Sequence, residues 1–347
     1  MSTLYRPPIP RSNPGSSDSG STEPPADATA LPTRSLQLIY HVRRQRSIVS
    51  TTRDAGLFLL LSFLWGTSFM AIKLGLEFIP PVLFAAVRYD VTAVLMVGYV
   101  AATTGEWRPR SRADWLTVLV GATLIIALYN AFLFIGQQGV TSGVAAILIA
   151  MNPILATGFS RVLLPQERLG GIETVGLLLG FLGVGVVAFP ESAGPLAADL
   201  VAPAFVLLAA ACVALGSVVV QRVDSDIGTE GMVAWSTALG AVLLHAMSAG
   251  LPSESVGDVA ITPAAIVTVV YLAVFASAVG YVIYFELLDR LGAIEINLVS
   301  YTVPVFAALS GWLVLDESLD IAAVAGFVVI FAGFLLLKQA TIRERIA

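Results

Sequence analysis

One stretch of this chain occurs twice, and the duplication constrains the fold more than any other feature. Residues 139–189 read GVTSGVAAILIAMNPILATGFSRVLLPQERLGGIETVGLLLGFLGVGVVAF, and residues 291–337 read LGAIEINLVSYTVPVFAALSGWLVLDESLDIAAVAGFVVIFAGFLLL. Each copy has an apolar run with one proline, a polar break with a glutamate, and a second apolar run with two glycines. One constant spacing, the repeat offset, relates Gly176 to Gly326, Gly183 to Gly333, and Gly66 to Gly216. Self-similarity at a fixed offset predicts two homologous halves.

The composition predicts a polytopic membrane protein. The chain is 57% hydrophobic and 12% charged, whereas globular chains are about 45–50% apolar and about 25% charged. One cysteine and two histidines argue against a disulfide framework or a metal centre, so we expect neither metal nor cofactor. The chain contains no GxxxxGK[ST], HExxH or GxSxG motif, so we expect no enzyme of those classes. The net charge of −5 is spread over loops and so says nothing about nucleic acid, and we expect no nucleic-acid partner.

Residues 1–50 differ from the rest of the chain. The run PGSSDSGSTEPPAD is rich in Ser, Pro, Gly and acidic residues, a composition that does not bury enough apolar surface to fold. It also lacks the apolar core of a signal peptide. We therefore expect a disordered cytoplasmic tail, or a start codon placed too far upstream, with HVRRQRS resting on an anionic leaflet.

Ten apolar segments of about 20 residues follow, each long enough to cross a bilayer as a helix. Their spans are 55–76, 79–102, 113–135, 141–163, 170–189, 199–220, 231–250, 262–287, 292–315 and 320–338. Unpaired backbone is too costly in lipid, and the runs lack the alternation of barrel strands, so helices are expected. The predicted domains are a first five-helix repeat over 55–189 and a second over 199–338.

The distribution of positive charge predicts the orientation. With the N-terminus inside, the loops on the inner side hold the loop arginines, whereas the outer loops carry only acidic residues. This asymmetry places both termini in the cytoplasm. Five helices are an odd number, so the second repeat is inverted relative to the first, as in many secondary transporters. The fold class is thus an all-α polytopic membrane protein of ten helices in two inverted five-helix repeats.

Four motifs resemble EamA-type transporters of the drug/metabolite transporter superfamily. LWGTSFMAIKLG (64–75) and PPVLFAAVRYD (80–90) are similar to the first and second helices of that family. Residues 141–168 and 292–318 resemble its fourth and ninth helices, each with a trailing glutamate, and the resemblance covers about 55–338. Membership implies a ten-helix inverted-repeat fold and the export, less often the uptake, of small metabolites. The substrate does not transfer with the fold.

Two features depart from that resemblance. Asp90 stands where an apolar residue is expected. The interval from Pro304 to Glu317 is one residue shorter than that from Pro153 to Glu167, so the residues of the two repeats do not correspond one to one there. Each of these glutamates precedes a helix, where the N-terminal dipole favours a carboxylate, and we interpret both as helix caps.

Charged residues deep in the predicted spans are candidate functional groups, because such residues are costly in hydrocarbon. Lys73 either snorkels to the interface or lines an outer vestibule. Arg88 is either held by carbonyls and polar groups of neighbouring helices or handles substrate or protons. Asp90 lies about 200° from Arg88 around the helix, so each residue needs its own partner. A buried carboxyl can load and release a proton, and the alternative for Asp90 is a structural partner from helix 1 or 3.

Prolines and polar residues complete the candidate set. Pro153 and Pro304 are predicted hinges, because each removes a helix hydrogen bond. The asparagines near these prolines could bind substrate or the freed carbonyl groups. The two tyrosines of helix 8 share one face of that helix, and Trp65 could stack on substrate or pack against neighbouring helices. His245 is interpreted as a hydrogen-bonded packing residue, not as a ligand. The candidate pathway residues are Trp65, Lys73, Arg88, Asp90, Tyr129, Asn130, Asn152, Tyr281, Tyr284 and Asn297.

The sequence favours a secondary transporter in the cytoplasmic membrane. It would move a small organic metabolite, amino acid-like or drug-like, by alternating access, with export favoured over uptake by the resemblance alone. The glycine-rich helices 5 and 10 are interpreted as scaffold or as a dimer face, which leaves a homodimer open. Three alternatives remain: a channel, a non-transporting membrane sensor or assembly protein, and a membrane enzyme acting on lipid.

Overall fold

The computed structural model describes residues 33–163, 171–188, 200–318 and 321–346. The chain divides into two units, Met1–Thr51 and Thr52–Ala347, and the contacts below belong to the second. Regular structure within the described ranges is helical throughout, without a strand. The main helices are α1 (Thr33–Gly75), α2 (Pro81–Thr103), α3 (Arg112–Gln137), α4 (Ser142–Leu163), α5 (Gly171–Ala188), α6 (Val201–Arg222), α7 (Thr229–Gly250), α8 (Pro263–Leu291), α9 (Val299–Leu315) and α10 (Ile321–Ile346).

Seven of the described helices are long and apolar enough to cross a membrane. They are α2, α3, α4, α6, α7, α8 and the Thr52–Gly75 part of α1. Shorter apolar helices cover Thr174–Ala188, Val299–Leu315 and Ile321–Leu337, within α5, α9 and α10. Length and composition therefore give seven spanning candidates, and the other three predicted spans correspond to these shorter segments.

Helix α1 begins earlier than the sequence predicts. Its backbone is helical from Thr33, whereas the sequence predicts a disordered tail through residue 50. The Pro, Ser and Gly run ends at Pro32, and residues 33–50 contain neither proline nor glycine. Without these helix-breaking residues, the backbone continues into the apolar part of α1. Residues 1–32 lie outside the described residues.

Threonine side chains cap one helix in each half, at positions that the repeat does not relate. Thr141 precedes α4 and accepts a hydrogen bond from Val144 N, while Thr262 precedes α8 and accepts one from Ala265 N. Helix α3 starts with a full capping box between Ser111 and Asp114. These side chains satisfy backbone donors that have no partner within the helix.

The two halves share a feature that the apolar pattern does not reveal. Helices α3 and α8 each contain a π-helical segment, Gly121–Leu128 and Tyr271–Val279. The starts of the two segments, Gly121 and Tyr271, are related by the same repeat offset as the glycines. π-Helical segments are rare in proteins, and those that do occur are often found at functional sites. Both segments lead directly into the candidate residues of α3 and α8.

The two predicted hinge prolines lie in different surroundings. Helix α4 is interrupted at Ala150 and Met151, and Pro153 is the second residue of the segment that follows. Proline is tolerated in a first helical turn, where its missing N–H costs nothing. The expectation that Pro153 lies within a continuous helix is therefore wrong. Pro304 does lie inside a continuous helix, α9.

Helices from opposite halves pair along their lengths, chiefly α2 with α7 and α5 with α10. Helix α3 also packs against α6, and α4 against α9. Helices α5 and α10 approach each other closely. A Cβ on Gly176 would lie 2.6 Å from Gly333 O, and a Cβ on Gly183 would lie 2.7 Å from Gly326 O. The repeated glycines therefore allow backbone-to-backbone contact between the halves.

Candidate functional site

Arg88 is a buried cation in the middle of α2. Its side chain is held by Ser277 of α8, whose hydroxyl oxygen lies 3.1 Å from Nε and 3.0 Å from Nη2. The guanidinium carbon lies 5.2 Å from the ring centre of Tyr89 and 5.9 Å from that of Phe134. Arg88 is 9% exposed, and no carboxylate lies within ion-pair distance of it in the described part of the chain. Helix α2 of the first half thus places a positive charge against α8 of the second half, with no carboxylate counter-ion among the described residues.

Tyrosines surround this cation. The hydroxyl oxygens of Tyr89 and Tyr281 lie 3.3 Å apart, and Tyr129 of α3 lies within electrostatic range of Tyr89 and Arg88. Tyr129 and Tyr281 keep partial exposure although they come from facing helices. We call Arg88, Tyr89, Tyr129, Ser277 and Tyr281 the Arg88 cluster. It joins α2 and α3 of the first half to α8 of the second.

Trp65 and Tyr284 adjoin this cluster. The Trp65 indole donates a hydrogen bond to Ala276 O over 3.1 Å, and its ring centre lies 5.7 Å from that of Tyr284. A Cβ on Gly280 would meet the indole at 2.8 Å. Glycine at 280 therefore makes room for a ring from α1 beside α8. Tyr281 and Tyr284, predicted to share a face, contact Tyr89 and Trp65 respectively.

The three candidate asparagines have different environments. Asn130 is fully buried, and its Nδ2 donates to Ile126 O over 2.7 Å within the π-helical region of α3. The side-chain oxygens of Asn130 and Asn152 are buried without a hydrogen-bond partner. Asn297 is exposed in the turn between the one-turn helix Ala293–Ile296 and α9. The structure thus brings Asn130 and Asn152 into the interior and leaves Asn297 outside it.

Asp90 faces away from the Arg88 cluster. Its carboxylate lies 2.8 Å from Nε2 of His245 on α7, and the two side chains are 49% and 44% exposed. The expected partner from helix 1 or 3 is therefore wrong. Positions i and i+2 point to different sides of a helix, so the burial of Arg88 places Asp90 on the outside of the bundle. The sequence predicted that His245 is a hydrogen-bonded packing residue; it is hydrogen-bonded, to Asp90, but it is exposed instead of packed.

Lys73 binds the end of α3. Its Nζ donates to the carbonyl oxygens of Gln137, Gln138 and Val140 over 3.0, 3.2 and 2.8 Å. The last carbonyls of a helix have no partner within it and carry partial negative charge. Lys73 therefore joins α1 to the carboxyl end of α3, a contact that neither sequence interpretation anticipated. We call this end of the bundle the Lys73 end.

Two glutamates from the second half cap helices of the first at the Lys73 end. Glu317, after α9, accepts from Ser142 N with both oxygens, at 3.1 and 2.9 Å. Glu254, after α7, accepts from the backbone N–H groups of Val82 and Leu83. The sequence predicted that Glu317 caps the helix that follows it. It does bind a helix N-terminus, but that of α4. Glu167 lies outside the described residues.

Removal of the Lys73 ammonium should loosen this end of the molecule. We expect Lys73→Met to lower the free energy of unfolding by about 1.5–3 kcal/mol, because three carbonyls lose a charged donor. Thermal unfolding of the purified protein in detergent measures the change. Lys73→Arg, which keeps a cationic donor, is the matched control and should retain most of the stability. A methionine variant as stable as the parent would contradict this assignment.

The opposite end of the bundle carries an ion-pair network. Arg53 of α1 lies 2.6 Å from Glu286 of α8, and Arg290 contacts both Glu286 and Asp54, at 2.9 and 3.1 Å. We call this the Arg53 network. Exposed pairs of this kind contribute little stability individually, but together they join α1 to α8 at that end.

Several contact residues escaped the sequence argument. Ser277 and Tyr89 bind or face Arg88, and Glu254 caps α2, yet none was singled out. Tyr89 could have been found, since it adjoins Arg88 and carries a hydroxyl. Ser277 and Glu254 had no comparable signal, because their partners lie on other helices. Among the described residues, no group of three or more His, Cys, Asp or Glu side chains could hold a metal ion.

The helices and the buried polar cluster define a multi-pass membrane protein. Two segments, residues 54–189 and 200–338, match the model of the EamA-like transporter family. Together they cover most of the chain, so the chain belongs to that family.

Relatives named as transporters are similar over most of their length, and one solved structure shares the fold. The chain is 26% identical to "uncharacterized transporter YvbV" of Bacillus subtilis, over 85% of this chain and 95% of that protein. It is 28% identical to "uncharacterized inner membrane transporter YedA" of Escherichia coli K12, over 81% of this chain and 89% of that protein. One solved structure, titled only as the crystal structure of a protein, matches with a TM-score of 0.59 and 20% identity, over 84% and 99% of the chains. This last similarity concerns the fold alone.

Proposed function

We propose that this protein is a secondary transporter that moves a small organic metabolite, amino acid-like or drug-like, by alternating access. One observation carries the proposal: the halves meet through contacts that exchange under the sequence repeat. Gly176 meets Gly333, and Gly183 meets Gly326. The repeat relates Gly176 to Gly326 and Gly333 to Gly183, so the two contacts are equivalent under the repeat. Inverted repeats packed in this way can adopt two related states around a central site.

The proposed topology has ten membrane crossings and both termini in the cytoplasm. The seven long apolar helices and the three shorter ones support that number, and the arginine-free outer loops support the orientation. The Lys73 end is then outside and the Arg53 network inside. The family and the relative named as an inner membrane transporter support placement in the cytoplasmic membrane. Export is proposed over uptake from the family resemblance.

The Arg88 cluster is the proposed centre of the pathway. It is formed by both halves, and Tyr129 and Tyr281 keep partial exposure, as expected for groups beside a substrate space. The interruption of α4, Pro304 in α9 and the two π-helical segments are proposed flexing points. Opening on one side would break the contacts of Lys73 and Glu317, whereas opening on the other would break the Arg53 network.

Counterflow in liposomes tests the function. The purified full-length protein is placed in vesicles preloaded with unlabelled compounds, and uptake of labelled amino acids, nucleobases and cationic drugs is measured. We expect one class to accumulate and its flux to rise when unlabelled compound waits on the opposite side. Flux without this acceleration would indicate a channel. No flux for any class, with folded protein, would overturn the transporter proposal in favour of a sensor or assembly protein.

Asp90 is proposed to couple transport to protons through its pair with His245. The Asp90 carboxylate lies 2.8 Å from Nε2 of His245, and carboxyl and imidazole groups within membrane spans are the side chains that form proton relays in transporters. We expect Asp90→Asn to abolish the pH dependence of flux while substrate binding remains. Flux in counterflow, measured from mildly acidic to mildly alkaline pH, is the test. Glu106→Gln, in the exposed pair of Glu106 with Arg110, is the matched control. A pH profile unchanged by Asp90→Asn would remove Asp90 from coupling.

A further inference from the structure

We infer that the Arg88 cluster binds the anionic group of an organic carboxylate. This inference rests on the proposed function and deepens it, because it names the chemical class of the substrate. The observation behind it is a buried guanidinium without a carboxylate partner among the described residues, held in place between facing helices.

The neighbours of Arg88 orient it but do not neutralise it. Ser277 Oγ is an uncharged acceptor that serves both Nε and Nη2. The rings of Tyr89 and Phe134 attract the cation through their π faces. A charge this deep in an apolar medium is costly unless it is paired. The cluster is therefore a positive site that an anion would complete.

The donor arrangement fits a carboxylate. A guanidinium carries five N–H groups in a planar fork, and Ser277 occupies the Nε and Nη2 edge. Nη1 makes no hydrogen bond in the described part of the chain and can donate to an incoming oxygen. Tyr129 also makes no hydrogen bond within that part, and it lies within electrostatic range of Arg88. Together these groups offer two oxygens of one carboxylate separate donors.

The same geometry disfavours other classes of substrate. A cation placed beside Arg88 would be repelled in a medium of low dielectric constant. A neutral compound would leave the guanidinium without a counter-charge. The partly exposed rings of Tyr281, Tyr284 and Trp65 offer apolar surface for the remainder of an organic anion, whereas they give a small inorganic anion nothing to contact.

Binding to the purified full-length protein in nanodiscs tests this inference. The probes are phenylacetate and hexanoate, their amides phenylacetamide and hexanamide, the cation phenethylammonium, and chloride. We expect each carboxylate to bind at least about tenfold more tightly than its amide, with weaker binding of the cation. Chloride should not compete at equal concentration.

Variants separate recognition from folding. Arg88→Met should remove the preference for carboxylate over amide, and Arg88→Lys should keep part of it, since lysine retains the charge but not the fork. Ser277→Ala should weaken carboxylate binding several-fold without removing the preference. Arg110→Met removes an arginine from an exposed pair and should bind all probes like the parent. Thermal unfolding shows that each variant is folded.

The outcomes distinguish this inference from the transport proposal. It fails if neither carboxylate binds, if the amides bind equally well, or if a folded Arg88→Met variant keeps the preference. Competition by chloride would also overturn it, because the site would then hold a simple anion. Carboxylate binding without flux in the counterflow assay would remove the transport proposal alone. Flux of a cation or a neutral compound, with no carboxylate binding, would remove this inference alone.

Discussion

Gly176→Val is expected to separate α5 from α10 and to remove folded protein from the membrane. A Cβ at this position would lie 2.6 Å from Gly333 O and 3.0 Å from Leu337 N. Both neighbours are backbone atoms, so no side-chain rotation relieves the overlap and the helices must move apart. Overpacking by one or two methyl groups costs about 1–3 kcal/mol, and more where nothing yields, so we expect a loss of about 3 kcal/mol or more.

A glycine of the same helix supplies the control. Nothing lies within 4 Å of a Cβ on Gly185, so Gly185→Val should give normal yield and thermal stability. Gly333→Val should reproduce the loss seen with Gly176→Val, since a Cβ there would meet Gly176 O at 2.6 Å. The yield of monodisperse protein after detergent extraction, with its midpoint of thermal unfolding, measures all three variants. Equal behaviour of Gly176→Val and Gly185→Val would contradict the contact.

The position of these glycines in sequence anticipated their importance but not their partners. The repeat offset predicts that Gly176 and Gly326 are equivalent, and α5 and α10 do pair. The contacts instead join Gly176 to Gly333 and Gly183 to Gly326, because the helices run antiparallel. The sequence interpretation of α5 and α10 as scaffold or dimer face did not anticipate that their glycines face each other within one chain.

Helix existence was predictable, whereas local helix geometry was not. The length of each apolar run sets where a segment can span a bilayer, and this placed the long helices correctly. Apolar residues continue through the π-helical segments of α3 and α8, so hydropathy carries no sign of them. Pro153 marks a disturbance of α4, but the interruption lies before the proline, at Ala150 and Met151.

Residues of the candidate site could be predicted only where the residue type is itself unusual in an apolar helix. Arg88 was found because a deep arginine is rare in an apolar helix. Ser277 was missed, since a serine in an apolar helix is common and its role depends on a contact across helices. Asp90 was equally conspicuous, yet it lies outside the bundle beside His245. A charge in a span thus predicts that a partner exists, but not which side of the helix it faces.

Residues at equivalent positions of the two repeats make different contacts. At the Lys73 end, Glu254 caps α2 and Glu317 caps α4. The repeat equivalent of Glu254 is Thr104, which instead donates a hydrogen bond to Glu230 of α7. An inverted-repeat protein in a single state must differ between its halves, and these caps are one such difference.

The difference between the halves can be measured at Gly66 and Gly216, which the repeat relates to each other. A Cβ on Gly66 would overlap Cβ of Phe306 and would lie 2.8 Å from Val303 O, both fixed by the backbone of α9. A Cβ on Gly216 would meet the Ile125 side chain, with Cγ1 at 2.7 Å, and Leu124 Cβ at 3.0 Å. The isoleucine can rotate, whereas the α9 backbone cannot. We therefore expect Gly66→Ala to cost about 3 kcal/mol and Gly216→Ala about 1 kcal/mol.

Matched alanine variants test this expectation, because the sequence repeat alone predicts equal effects at both glycines. Gly56→Ala in α1, where nothing lies within 4 Å of the added Cβ, should be neutral. The midpoint of thermal unfolding and the counterflow rate should both fall most for Gly66→Ala, because its neighbour Trp65 adjoins the Arg88 cluster. Equal losses for Gly66→Ala and Gly216→Ala would mean that the halves exchange their roles freely. A larger loss at Gly66 would mean that the packing of α1 on α9 is the tighter half of the asymmetric state.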